Sequence, residues 1–131
     1  MLVEGLDVTT KPQHYQLEVW KRSMRMVRAV YEVTASFPDE ERYCLTAQMR
    51  RCAISVPSNI AEGAARSGNK EFVRYLIMAR GSLMELDTQT WIAKDLGYIA
   101  EEVASLQSEF HEILAMLNGL IRNRRVTPAP D

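Results

Sequence analysis

The sequence predicts an all-α protein built as an up-down-up-down four-helix bundle. Three observations carry that expectation. Four long segments space their apolar residues three and four apart, which puts them on one face of a helix with about 3.6 residues per turn. Short links containing proline, glycine or asparagine separate the segments. No stretch alternates as a strand does, and there is no internal repeat or long low-complexity run. At 131 residues the chain suits one domain around one core. The expected division is a flexible N-terminal arm over residues 1–14, the bundle over 15–123 and a disordered tail over 124–131.

The first helix is expected from about Tyr15 to Ala35, with Trp20, Met24, Val27, Tyr31 and Thr34 facing inward. Lys21, Arg25 and Arg28 form a basic stripe beside them. Glu18 lies four before Arg22 and Arg28 four before Glu32, a spacing that allows pairing along the helix. The stripe reads either as a solvated face or as a phosphate-facing surface. Phe37 to Arg42 is a connector, because Pro38 disfavours helix at Phe37.

The second helix is expected from Leu45 to Gly63, with Leu45, Met49, Cys52, Val56 and Ile60 in one row and Thr46 as its N-cap. Arg51, Ser55, Ser58 and Glu62 make a second row, and Asn59 falls between the two. Pro57 removes a hydrogen bond, at a cost of about 3 kcal/mol in a helix interior. The apolar spacing runs through it in phase, so a kinked but continuous helix is expected rather than a break.

Asn69 is the expected N-cap of a long third helix over about Lys70 to Leu96. Its inward stripe is Phe72, Leu76, Ala79, Leu83, Leu86, Thr90 and Ala93. Gly81 costs about 1 kcal/mol there against Ala, which suggests a close approach by another helix of the chain or of a neighbouring copy. Arg51, Asn59, Glu62, Glu85 and Gln89 are read as one structural polar network, with Arg51 as first candidate partner for the carboxylates. Gly97-Tyr98 turns the chain into a fourth helix over about Ala100 to Asn123, with Val103, Leu106, Phe110, Ile113, Leu117 and Leu120 inward.

Ser55 to Gly63, taken with Leu17-Glu18-Val19-Trp20, Glu41-Arg42-Tyr43, Arg50-Arg51, Gly81-Ser82-Leu83, Glu85-Leu86 and Thr88-Gln89, resembles the four-helix-bundle proteins encoded in intervening sequences of 23S ribosomal RNA genes. That family is similar in fold to the accessory variability protein of diversity-generating retroelements. The resemblance spans roughly Tyr15 to Leu120 and implies assembly as a ring-shaped homo-oligomer, a homopentamer. It implies no agreed biochemical activity.

The residues point away from several chemistries. Neither His14 nor His111 has a glutamate three positions before it, so the paired Glu-x-x-His motifs of di-iron bundles are missing. Cys44 and Cys52 lack zinc-site spacing. No glycine-rich phosphate loop occurs, and no motif marks a nucleophile. The expectation is a non-enzymatic protein with no cofactor, metal or small-molecule substrate. No apolar run is long enough to span a bilayer and no signal pattern opens the chain, so a cytoplasmic protein without membrane partners is expected.

Charge is uneven although the net value is −1. Residues 50–80 hold six positive charges against two negative, and residues 85–112 hold seven negative against one positive. This polarity would serve either pairing between copies or binding of RNA or DNA. Lys21, Arg25, Arg28, Arg66, Lys70 and Arg74 are the candidate phosphate contacts. The first hypothesis is thus an oligomeric scaffold for a nucleic-acid or ribonucleoprotein partner. Its alternative is a structural or protein-interaction ring without nucleic-acid affinity.

Overall fold

The apolar spacing of the third segment survives intact in three dimensions. Phe72, Leu76, Ala79, Leu83, Leu86, Thr90 and Ala93 are all buried. In this computed structural model, which describes residues 12–126, they lie on the longest of four helices. The helices are α1 (Glu18–Thr34), α2 (Leu45–Ala64), α3 (Asn69–Asp95) and α4 (Glu102–Val126). Short 3₁₀ turns at Gln13–Gln16 and Asp39–Glu41 precede α1 and α2. No strand occurs among the described residues. Most of the expected arm and the end of the expected tail lie outside the described residues, while residues 124–126 continue α4.

The helices pack around one core. α2 contacts α1 and α3, α4 contacts α3 and α1, and α1 stands diagonally across from α3. Phe110, Met26, Met49, Ile60, Leu76, Leu83 and Leu86 are fully buried at the centre. Burial of such side chains contributes about 1.5–3 kcal/mol each. Residue pairs cross between neighbours in opposite senses. Cys52 meets Glu85 while Ser55 meets Ser82, and Arg80 meets Asn118 while Gln107 meets Asp87.

α1 is rotated from the expected phase. Its buried positions are Val19, Trp20, Ser23, Met26, Val30 and Thr34. Met24 and Val27 lie at the flank, and Tyr31 is exposed. Ser23 and Thr34 enter the core because each hydroxyl donates to its own helix, Ser23 to the Trp20 carbonyl at 2.9 Å and Thr34 to the Val30 carbonyl at 2.8 Å. The expected stripe includes Thr34 but passes over Ser23 for Met24, because a hydrophobicity pattern counts serine as polar.

α2 runs through Pro57 as one helix, as expected. Asn59 Nδ2 donates to the Ser55 carbonyl at 2.9 Å and to Ser55 Oγ at 3.0 Å, and so does not serve the Ala53 carbonyl, the one that Pro57 leaves without its helical donor. The expected caps are replaced by others. Thr46 is inside α2, and the Leu45 amide donates to Glu41 Oε1 at 3.2 Å. Asn69 is the first residue of α3, and Gly68 precedes it at φ 84° with no side-chain cap. At the far end of α3, Gly97 (φ 83°) allows Tyr98 N to donate to the Ala93 carbonyl and Gly97 N to that of Lys94, each at 2.9 Å, which closes the helix as a Schellman motif.

Within the chain the close helix approach is at Gly63, not at Gly81. A Cβ at Gly63 would lie 2.6 Å from Tyr75 Cβ, whereas one at Gly81 would meet nothing within 4 Å. α2 and α3 therefore meet most tightly beside the link that joins them. Among the described residues no helix is long and apolar enough to cross a membrane.

Candidate functional site

Three features stand out once the helices are packed: a polar seam, a basic end and two apolar surfaces.

The seam lies between α2 and α3. Ser55 Oγ and Ser82 Oγ are 2.7 Å apart, with Asn59 bonded to Ser55. One turn away, Cys52 Sγ donates to Glu85 Oε2 at 3.5 Å and accepts from Gln89 Nε2 at 3.4 Å. Burial pushes the Cys52 thiol above its ordinary pKa, and the Glu85 carboxylate adds to that shift. Gln89 Oε1 is buried without a hydrogen-bond partner among the described residues. Asn59, Glu85 and Gln89 thus reach the seam, but Arg51 and Glu62 do not. Arg51 is exposed and makes no ion pair among the described residues, and Glu62 pairs with Arg66 at 3.5 Å. The row containing Arg51, Ser55, Ser58 and Glu62 straddles the edge of α2, so only Ser55 turns inward. The seam's chemistry is that of packing: it holds no activated nucleophile, and the described residues contain no cluster of potential metal ligands.

The candidate phosphate contacts fall into two groups. Lys21, Arg25 and Arg28 stand on α1, with Lys21 paired to Glu18 at 3.5 Å and Arg28 to Glu32 at 3.7 Å. Arg22 does not take Glu18. It reaches α4, donating through two nitrogens to Glu109 at 3.2 and 3.3 Å. Arg66, Lys70 and Arg74 gather at the start of α3. Arg66 donates to Tyr75 Oη at 3.0 Å, and Arg74 pairs with Glu71 at 3.5 Å. α1 and α3 do not touch, so Lys70 and Arg74 stand on a helix that does not pack against the one carrying Lys21, Arg25 and Arg28.

Packing adds members that the sequence reading did not select. The Arg124 guanidinium lies 5.2 Å from the Phe72 ring centroid. With Arg66, Gly68 and Asn69 it lines a cavity of about 170 Å³ at the end of the bundle. Its Nε is buried with no hydrogen-bond partner among the described residues. Arg122 and Arg125 are exposed nearby in sequence. The signal in the sequence for this cluster is the run of Arg122, Arg124 and Arg125 at the end of α4, which also complements the helix dipole. Arg50 was likewise counted as a surface charge. It donates from Nε to Thr34 Oγ1 at 2.9 Å and from its terminal amine to the Tyr31 carbonyl at 3.3 Å, closing the end of α1.

The apolar surfaces lie on different elements, one on α3 and one between α1 and α2. Met78, Met84, Trp91 and Ile92 on α3, and Leu96 at its C-cap, are between 38% and 52% exposed. Between α1 and α2, Trp20, Met24, Val27, Ile54, Pro57 and Ala61 line an open groove of about 330 Å³. Scattered exposed apolar residues are ordinary, but a contiguous row is the usual mark of an interaction surface.

Comparison with known proteins matches this architecture. A solved structure described as a protein of unknown function from the S23 ribosomal protein family of Bacteroides thetaiotaomicron superposes with a TM-score of 0.71 at 22% identity, over 79% of this chain and 95% of that one. At that identity the likeness speaks to the fold alone. No functionally curated protein matches the sequence. The family model described as 23S rRNA-intervening sequence protein matches residues 15–119. The chain therefore belongs to the 23S rRNA-intervening sequence protein family.

Proposed function

We propose that this protein is a non-enzymatic, self-assembling scaffold of the cytoplasm, an up-down-up-down bundle whose copies join in a ring. The opposite senses of the α2–α3 and α3–α4 residue pairs support the topology. The exposed apolar row of α3 carries the assembly reading, because five large apolar side chains along one helix face remain in water unless something covers them. Light scattering at micromolar concentration tests it. A multiple of the 15.0 kDa chain mass is expected, and a monomer refutes it.

A second reading adds a nucleic-acid partner. Arg66, Lys70 and Arg74 stand at the positive end of α3, and Arg124 packs beside them on Phe72. Fluorescence anisotropy of a labelled structured RNA and a labelled duplex DNA, at low and physiological salt, tests this. Binding that weakens steeply with salt is expected for phosphate contacts. No binding at low salt leaves the assembly without nucleic-acid affinity.

A further inference from the structure

We propose that the cavity at the end of the bundle binds a terminal phosphate group, the chemistry shared by free inorganic phosphate and the phosphorylated end of a nucleic-acid strand. The ligand class stands on the residues of the cavity. Its use on a strand end rests on the nucleic-acid reading above.

Segments far apart in the chain build this cavity. Gln13 and Leu17 come from the turn ahead of α1, Arg66 from the link between α2 and α3, Asn69 and Phe72 from the first turn of α3, and Arg124 from the last turn of α4. Its volume of about 170 Å³ falls below the roughly 300–1,000 Å³ of pockets that hold drug-sized ligands, so it suits one small ion. Among the described residues no carboxylate lines it. The polar cavities beside Thr46 and beside His111 each contain an acid, Asp39 in one and Glu112 in the other.

Arg124 is the reason to expect an anion. The side chain is partly buried against the Phe72 ring and makes no ion pair among the described residues. Its Nε is buried with no hydrogen-bond partner there. A cation deprived of water on one side and of any counter-charge is unfavourable, and buried polar groups are nearly always paired. The planar fork of a guanidinium matches two oxygens of a phosphate. Arg66 brings a second guanidinium to the same cavity, oriented by Tyr75 Oη at 3.0 Å and Glu62 at 3.5 Å.

The start of α3 adds donors. Gly68 and Asn69 line the cavity, and no side chain caps the helix. Its first backbone bond runs from Phe72 N to the Gly68 carbonyl at 3.3 Å, so the amides of Asn69, Lys70 and Glu71 have no backbone acceptor among the described residues. The peptides of this 27-residue helix place partial positive charge at the same end. The Glu71 side chain, which would oppose an anion, pairs with Arg74 at 3.5 Å. Leu17, Ala64 and Phe72 supply apolar walls. A phosphodiester carries a sugar on each side and fits an open groove better than a small cavity. A terminal phosphate has at most one substituent and carries nearly two charges at neutral pH.

Isothermal titration calorimetry of the full chain with inorganic phosphate, at constant ionic strength in chloride, tests the cavity. The wild type is compared with Arg124→Gln, Arg66→Gln and Arg42→Gln. The last removes the same charge from an exposed position outside the cavity. Circular dichroism checks that each variant folds. Expected are one saturable site per chain, binding weaker by about tenfold or more in either cavity variant, and no change in Arg42→Gln. No saturable binding by the wild type, or equal weakening in Arg42→Gln, overturns the site. Fluorescence anisotropy then compares one labelled oligoribonucleotide bearing a 5′-phosphate with the same strand bearing a 5′-hydroxyl. Preference for the phosphorylated strand, lost in Arg124→Gln, means that the cavity serves a strand end. Equal binding of the two strands overturns that use while nucleic-acid affinity stands. Binding of inorganic phosphate without either strand keeps the cavity and removes the nucleic-acid reading.

Discussion

Alanine at Gly63 and at Gly81 should change stability in opposite directions. Both are helix glycines, so propensity alone favours Ala by about 1 kcal/mol in a helix interior, less near an end. At Gly63 the new Cβ would sit 2.6 Å from Tyr75 Cβ, 3.1 Å from Phe72 Cδ1 and 3.3 Å from the Phe72 carbonyl oxygen. Tyr75 Cβ is tied to its backbone and cannot swing away, so α2 and α3 must separate by several tenths of an ångström. Overpacking of this kind costs about 1–3 kcal/mol, which exceeds the propensity gain. We expect Gly63→Ala to destabilise by about 1–2 kcal/mol and to lower Tm by several degrees. Gly81→Ala meets open space and should stabilise by about 0.5–1 kcal/mol. Urea denaturation of both, made in the Ile92→Glu background to remove contacts between copies, reads the midpoints at unchanged slope. A Gly63→Ala protein as stable as its parent would refute the argument that contact at this glycine sets the α2–α3 distance.

Other outcomes follow from single contacts. Arg50→Ala leaves Thr34 Oγ1 without its donor and uncaps the end of α1, so a loss of about 1–2 kcal/mol is expected in the same denaturation assay. Arg50→Lys should recover little of it, since one ammonium cannot span both acceptors. The Glu41 carboxylate, which accepts from Tyr98 Oη at 2.8 Å, raises the Tyr98 pKa above its usual 10.0. A group whose pKa is higher when folded binds its proton more tightly in the native state. Its contribution is therefore complete below about pH 10 and is lost as pH rises through the folded pKa. Tyr98→Phe should flatten that alkaline loss in a pH series of melting curves, and an unchanged profile would remove Tyr98 as its cause. Cys44 is exposed and Cys52 buried with its pKa raised, so a thiol reagent should modify Cys44 quickly and Cys52 only after unfolding. Equal rates in the native protein would contradict the seam geometry.

Legibility in the sequence followed the range of the interaction. Every expected inward residue of α3 is buried, with Val73 added to them, and the stripe of α4 holds as far as Leu117, with Ile121 rather than Leu120 completing the core. Those stripes are nearly all apolar, so periodicity and burial coincide. α2 was read through Pro57 for the same reason. α1 was misread by one position because Ser23 is buried on a bond to its own backbone, while Met24 and Tyr31 line its outer side.

The sequence by itself determined four helices, their links and most of their buried faces, because helix periodicity and turn chemistry act over a few residues. Tertiary structure alone decided which polar groups meet. Arg22 found Glu109 across 87 positions instead of Glu18 across four. Glu41 joined the start of α2 to Tyr98 beyond α3. Arg124 came to rest on Phe72. It also decided which apolar residues stay exposed: the α3 row and the α1–α2 groove exist only once four helices have chosen their partners. A side chain's choice of partner depends on distances set by packing, and packing depends on the whole core at once.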